Sequence, residues 1–167
     1  MQDLILFKEG RTLNKQIKQM NLTNNFSLIE LTSSETAVRN GIKNTPNEQQ
    51  IAALKLLCEK IMQPLRDWYG KPINITSGYR SPALNKAIGG STTSQHSKGE
   101  AIDFTVPKED YKKVWDFLCT LEFDQIIWEF GNSNAPDWIH VSYSATKNRK
   151  QALKAVKSNG KTQYLPK

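Results

Sequence analysis

The sequence runs to 167 residues, 38% hydrophobic and 23% charged, which suits one domain with a real core and speaks against a disordered chain. No apolar run approaches the roughly 20 residues that cross a bilayer, and the stretch from Leu4 to Phe7, bracketed by Asp3 and Lys8, is too short for the apolar part of an export signal. A formal net charge of +7 suits a polyanionic partner such as nucleic acid, an anionic membrane or an acidic wall polymer, although no nucleic-acid reading motif accompanies it.

Residues 1–25 are polar and basic apart from Leu4 to Phe7 and read as an arm or an edge strand. Residues 26–31 open the folded region, and 36–44 read as loop and turn. Thr45, Pro46 and Glu48 supply an N-cap, a proline at the first helical position and a capping-box glutamate. Ile51, Leu54, Cys58, Ile61, Leu65 and Trp68 then recur at three- and four-residue steps, which predicts a helix with one apolar stripe facing the core. Gly70 stops it, and Pro64 predicts a kink or an earlier end. Cys58 and Cys119 fall in helical patterns without paired spacing and read as small apolar residues, so no disulfide is required.

A short strand at 73–76 leads directly into Ser77, Gly78, Tyr79 and Arg80, which places Arg80 on a loop at a strand end. Ser81 and Pro82 begin a short helix that stops at Gly89 and Gly90. The loop 89–95 delivers His96, and Gly99 permits a turn before the strand 101–104, which Pro107 ends. Residues 109–121 form a second amphipathic helix. Strands at 125–130 and 138–143, joined by a turn at 131–136, are expected to pair antiparallel. The chain closes at 147–167 with Lys147, Arg149, Lys150, Lys154, Lys157, Lys161 and Lys167, a basic C-terminal tail read as solvated. The fold class is therefore α+β, a small, mainly antiparallel sheet with helices packed on one face. The three segments are 1–25, a domain at 26–146 and the tail.

The chain has only two histidines, His96 and His140. Asp103 lies seven positions after His96 on a strand, and Asp137 precedes His140 by three. Two imidazoles and a carboxylate are a set that zinc accepts in a catalytic site, leaving a fourth position for water. A lone histidine is more often structural than a ligand, so each imidazole also has a structural reading. Asp137 is then the candidate base for the water, against a plain turn residue. Arg80 is a candidate to grip a substrate carboxylate or steady an oxyanion, against a surface ion pair. Ser94 either touches substrate or only ties down its loop. Glu129 either orients a ligand histidine or faces solvent.

The strings Ser77-Gly78-Tyr79-Arg80-Ser81-Pro82, then Ser94, His96, Gly99, Ala101 and Asp103 at their fixed spacing, then Trp138 and His140, resemble the zinc D-Ala-D-Ala carboxypeptidase family. Its members share the hedgehog/DD-peptidase fold with some phage endolysins. The resemblance spans roughly 26–143 and implies Zn2+ held by His96, Asp103 and His140. It also implies a catalytic acid at Asp137, where the family has Glu or Asp, and a substrate-facing arginine at Arg80.

Three functions follow as expectations. The first is a zinc peptidase acting on bacterial peptidoglycan peptides, as an endolysin-like endopeptidase or a carboxypeptidase. The second is a metal-bearing wall-binding module without turnover, and the third, resting on the basic tail alone, is a nucleic-acid-binding protein. The first implies wall peptides as partners, no nucleic acid, no membrane insertion and a monomer. Without an export signal, it also implies a phage or prophage lysin that reaches the wall from the host cytoplasm.

Overall fold

The computed structural model describes residues 20–167, so the expected N-terminal arm lies, up to residue 19, outside the described residues. Residues 20–25 belong to the folded body. Leu22 and Phe26 are buried, and Asn21 bridges Ser27. Two short helices follow, α1 (Leu28–Thr32) and α2 (Glu35–Arg39), each capped by a serine, Ser27 and Ser34.

The long helix is present, with its cap two residues later than predicted. Asn47 accepts from the Gln50 amide at 2.9 Å and Gln50 returns the bond to the Asn47 amide at 2.8 Å, so Pro46 stands outside the helix. α3 (Glu48–Leu57) runs through a π-helical turn, Cys58–Met62, into α4 (Gln63–Tyr69). The wide turn just ahead of Pro64 absorbs the ladder break that a proline imposes. Gly70 ends the helix at φ 69°, a left-handed cap. Leu54, Cys58, Ile61 and Leu65 are fully buried, as the stripe predicts. Trp68 differs: it is 47% exposed and stacks on Phe117 with ring centroids 4.4 Å apart.

β1 (Asn74–Ser77), α5 (Pro82–Ala87), β2 (Ala101–Thr105), α6 (Tyr111–Thr120), β3 (Gln125–Glu129) and β4 (Trp138–Ser142) fall where the sequence patterns put them. β5 (Gln151–Ser158) and β6 (Lys161–Pro166) occupy the segment expected to be a solvated tail. The sheet order is β1-β2-β4-β3-β5-β6, with the β3–β5 pair parallel and the rest antiparallel. The fold is thus α+β with a mostly antiparallel sheet. The tail is a hairpin because Asn159 and Gly160 take φ of 50° and 74°, the two left-handed residues of a tight hairpin turn. Lysines alternating with Leu153, Ala155 and other small residues hid the strand pattern.

The two sheet faces differ in chemistry. Ile102, Phe104, Ile126, Trp128, Ile139 and Val141 share one face by register, and all are buried against the helices in a single core with Leu57, Ile61, Val114 and Leu118. The other face carries Asp103, Ile127, Glu129 and His140. It is this second face that concerns function.

Candidate metal centre

Asp103 and His140 are direct cross-strand partners on β2 and β4, so their side chains leave the sheet on the same side. His96 comes from a one-turn 3-10 helix, Gln95–Lys98, laid over that face. The loop can reach it only through Gly99, which has φ 75° and packs so closely that a Cβ would stand 2.4 Å from the Gln50 carbonyl oxygen. The His96 Nδ1–H donates to the Gly78 carbonyl at 2.7 Å. That bond leaves the Nε2 lone pair facing Asp103 and His140.

The three donor atoms form a compact triangle. His140 Nδ1 is 2.8 Å from Asp103 Oδ1, His96 Nε2 is 3.2 Å from the same oxygen, and the two ring nitrogens are 3.3 Å apart. Donors on a tetrahedral zinc with bonds of ~2.0–2.1 Å stand about 3.3 Å apart. The residues therefore fit zinc, and they are a two-imidazole, one-carboxylate set of the catalytic kind. Burial favours the neutral form of His96 despite the nearby Asp103 carboxylate, and a neutral ring is what a metal needs. For Asp103, burial works against ionisation, but His96 and His140 outweigh it and hold the carboxyl below the usual range.

Arg80 sits at the edge of this triangle. Its Nη2 donates to Asp103 Oδ2 at 2.7 Å and its Nε to Ser77 Oγ at 2.9 Å. The guanidinium thus grips the oxygen of Asp103 that the imidazoles do not use, which fixes how the carboxylate presents itself. Ser94 lines the same cleft, half-buried, and its carbonyl accepts from the Ser97 amide at 3.2 Å.

Asp137 is outside the candidate ligand group of His96, Asp103 and His140. It is exposed and lines a neighbouring groove with Phe130, Trp138 and Lys154. It lies just ahead of β4, outside the strand, and its amide donates to the Glu129 carbonyl at 2.8 Å. The phenol of Tyr111, which packs against Trp128 beneath the sheet, is pushed up by burial and also by the Asp137 charge. The acid that does reach the cleft is Glu129, two positions from Ile127, the β3 partner of His140. Glu129 is buried, and burial pushes its carboxyl up to about 7, with the charges of His140, Asp103 and Arg80 close enough to contribute. Strand parity on β3 was the signal that could have assigned it.

A polar bracket that sequence reading missed ties this floor together. Asp124 is buried, takes Gln95 Nε2 at 2.9 Å, and is gripped by Arg149 through its amide at 3.0 Å and its Nε at 2.8 Å. One carboxylate thus links the His96 turn, the start of β3 and the entry to β5. The cleft holds about 810 Å³, and a second cavity of about 500 Å³, with Ser33, Arg39 and Tyr79 in its lining, meets it at Arg80, Ile88 and Asp103.

The sequence matches the Peptidase M15 family over residues 24–142, which covers the triangle, Arg80 and Glu129 and stops before the hairpin. No curated protein matches the chain. With most of its length matched and a zinc-compatible triad at the heart of the matched region, the chain belongs to the Peptidase M15 family and is a zinc metallopeptidase.

Proposed function

We propose that the protein hydrolyses peptide bonds within bacterial peptidoglycan, as an endolysin-like endopeptidase, by direct attack of water without an acyl-enzyme. The observation that carries the hydrolytic reading is Glu129: a buried carboxyl, poised near 7, on the same sheet face as His96, Asp103 and His140 and in the same cleft. A buried carboxyl with a raised pKa, in a cleft beside metal-ligating side chains, favours an acid–base role over mere binding. The wall substrate is supported by the resemblance of the Ser-Gly-Tyr-Arg and Ser-x-His-x-x-Gly-x-Ala-x-Asp strings and is compatible with the net charge of +7. An internal cut is supported by a second cavity that adjoins the cleft at Arg80, Ile88 and Asp103.

Bound by His96, Asp103 and His140, zinc supplies a Lewis acid and lowers the pKa of water to about 7. The chain does the rest. Glu129 takes a proton from the attacking water through a carboxylate oxygen and later delivers it to the departing amine. Burial raises its carboxyl above the ordinary range, which strengthens it as a base, and bound zinc would draw it part of the way back down. Arg80 holds Asp103 in place and keeps a fixed positive charge beside the cleft, where an oxyanion would form. Its two bonds to Asp103 and Ser77 make it a poor clamp for a free substrate carboxylate.

The test is mass spectrometry of products from purified peptidoglycan and defined muropeptides, with zinc-loaded wild type, chelated wild type and Glu129→Gln. New amino groups within cross-linked peptides, lost in both controls, are expected. Release of a terminal residue only would make this a carboxypeptidase. No products from any wall peptide, with stoichiometric zinc bound, would favour the wall-binding module.

A further inference from the structure

The β5–β6 hairpin lies wholly beyond the residues that match the peptidase family, yet it builds one wall of the metal cleft. Register explains how. Cross-strand partners share a sheet face, and Trp138, Glu129, Ala155 and Tyr164 are successive partners across β4, β3, β5 and β6. Tyr164 therefore stands in the same row as Glu129, with only the methyl of Ala155 between them. The next row outward pairs Lys157 with Thr162, and all three side chains line the cleft.

The charges of this wall are unevenly committed. Among the described residues, Arg149 and Lys150 are ion-paired to Asp124 and Glu122, whereas Lys157 has no carboxylate partner and lies 5.6 Å from the Phe130 ring centroid. Across the cleft, Arg80 is taken up by Asp103. Lys157 is thus the cation of the cleft left to meet a ligand, and it stands beside two hydroxyls, one of them on a tyrosine that is 53% exposed. Successive side chains on one strand face are about 6.6 Å apart, which puts the Lys157 row about 13 Å along the strands from the His140 row. An extended peptide covers about 3.4 Å per residue.

We propose that the hairpin is the specificity wall of this site: the Lys157 ammonium pairs with a free carboxylate on an extended peptide, roughly two to four residues from the bond cut, while Thr162 and Tyr164 hydrogen-bond the peptide's polar groups. The position of the bond rests on the peptidase reading above; the binding of a carboxylate does not. A lysine on a flexible stem suits a carboxylate whose exact placement varies between substrates, where an arginine fork would demand one geometry.

The experiment uses zinc-loaded Glu129→Gln protein, titrated by calorimetry with a synthetic peptidoglycan stem pentapeptide and with the same peptide amidated at its free carboxylates. The free form is expected to bind about tenfold more tightly. Adding Lys157→Gln should bring the ratio of the two affinities close to one, with no change in melting temperature, and Lys157→Arg should restore most of it. Tyr164→Phe should weaken both forms alike, by about threefold. Equal binding of the two peptides, a ratio that survives Lys157→Gln, or binding of neither peptide overturns the proposal. Hydrolysis of the same peptides by the wild type is read separately. If none occurs but the carboxylate ratio depends on Lys157, the wall stands and the peptidase reading falls.

Discussion

At the scale of single residues, the choice between two acids decides the chemistry. Asp137 attracts attention because it precedes His140 by three positions, where the resembled family has its catalytic acid. It stands just outside β4 and lines the neighbouring groove, whereas Glu129 lines the cleft itself. The expected outcome is that Glu129→Gln keeps zinc but loses at least about a hundredfold in kcat, whereas Asp137→Asn stays within about threefold; stopped assays on muropeptides check both. Wild-type kcat/KM should fall on the acid side, because the base form of Glu129 is lost as pH drops through its pKa of about 7. Bound zinc adds positive charge nearby and moves that limb below 7, towards the ordinary value of ~4.3. In the metal-free protein the same raised pKa has a stability signature. The folded state holds its proton up to about 7 while the unfolded state releases it near 4.3, so stability falls as pH rises through that window. Glu129→Gln should therefore melt higher than wild type at pH 8 and equally at pH 4, by calorimetry without metal. Arg80→Lys tests the grip on Asp103: zinc affinity should drop about tenfold or more, equally for enzyme facing free or blocked peptides.

At the scale of elements, what was legible is what local chemistry dictates. The stripe Leu54, Cys58, Ile61, Leu65 and the cap at Gly70 announce their helix, and the alternation in 101–104 and 138–143 announces strands. Of the three candidate metal ligands, Asp103 and His140 were readable on two of those strands, and His96 through the resemblance carried by its segment. The hairpin was not, since seven lysines and arginines from 147 onward masked a period of two, and the Asn159-Gly160 turn was the one clue. Nor was Asp124, whose partners Gln95 and Arg149 are long-range in sequence and meet only once the fold is complete. Asp124→Asn should cost on the order of 1–3 kcal/mol at neutral pH, discounted because Arg149 is partly exposed. Although burial opposes it, the bonds from Arg149 and Gln95 hold this carboxyl below its ordinary value. Its contribution is thus present above about pH 4 and is lost as pH falls through the depressed value. Denaturant melts of wild type and variant should converge in acid.

For the whole molecule, the hairpin also completes the sheet. β3 is buried on both faces, and β5 occupies its outer edge by parallel pairing. Removing residues 150–167 would expose the hydrogen-bonding groups of an apolar strand, an invitation to pair with another chain. The truncated protein is expected to aggregate, seen as early-eluting material on a sizing column, where the full chain elutes as one species. The cleft beside that sheet and a second cavity share Arg80, Ile88 and Asp103 in their linings. Under the proposed internal cut, two cavities side by side would hold a polymer along its length, with no terminus needed to start from. With an internal cut, the rate on an intact network then scales with the number of susceptible links and not with the number of loose ends. Mechanical strength would be lost early, when few bonds have been broken and almost no small fragments have left the mesh.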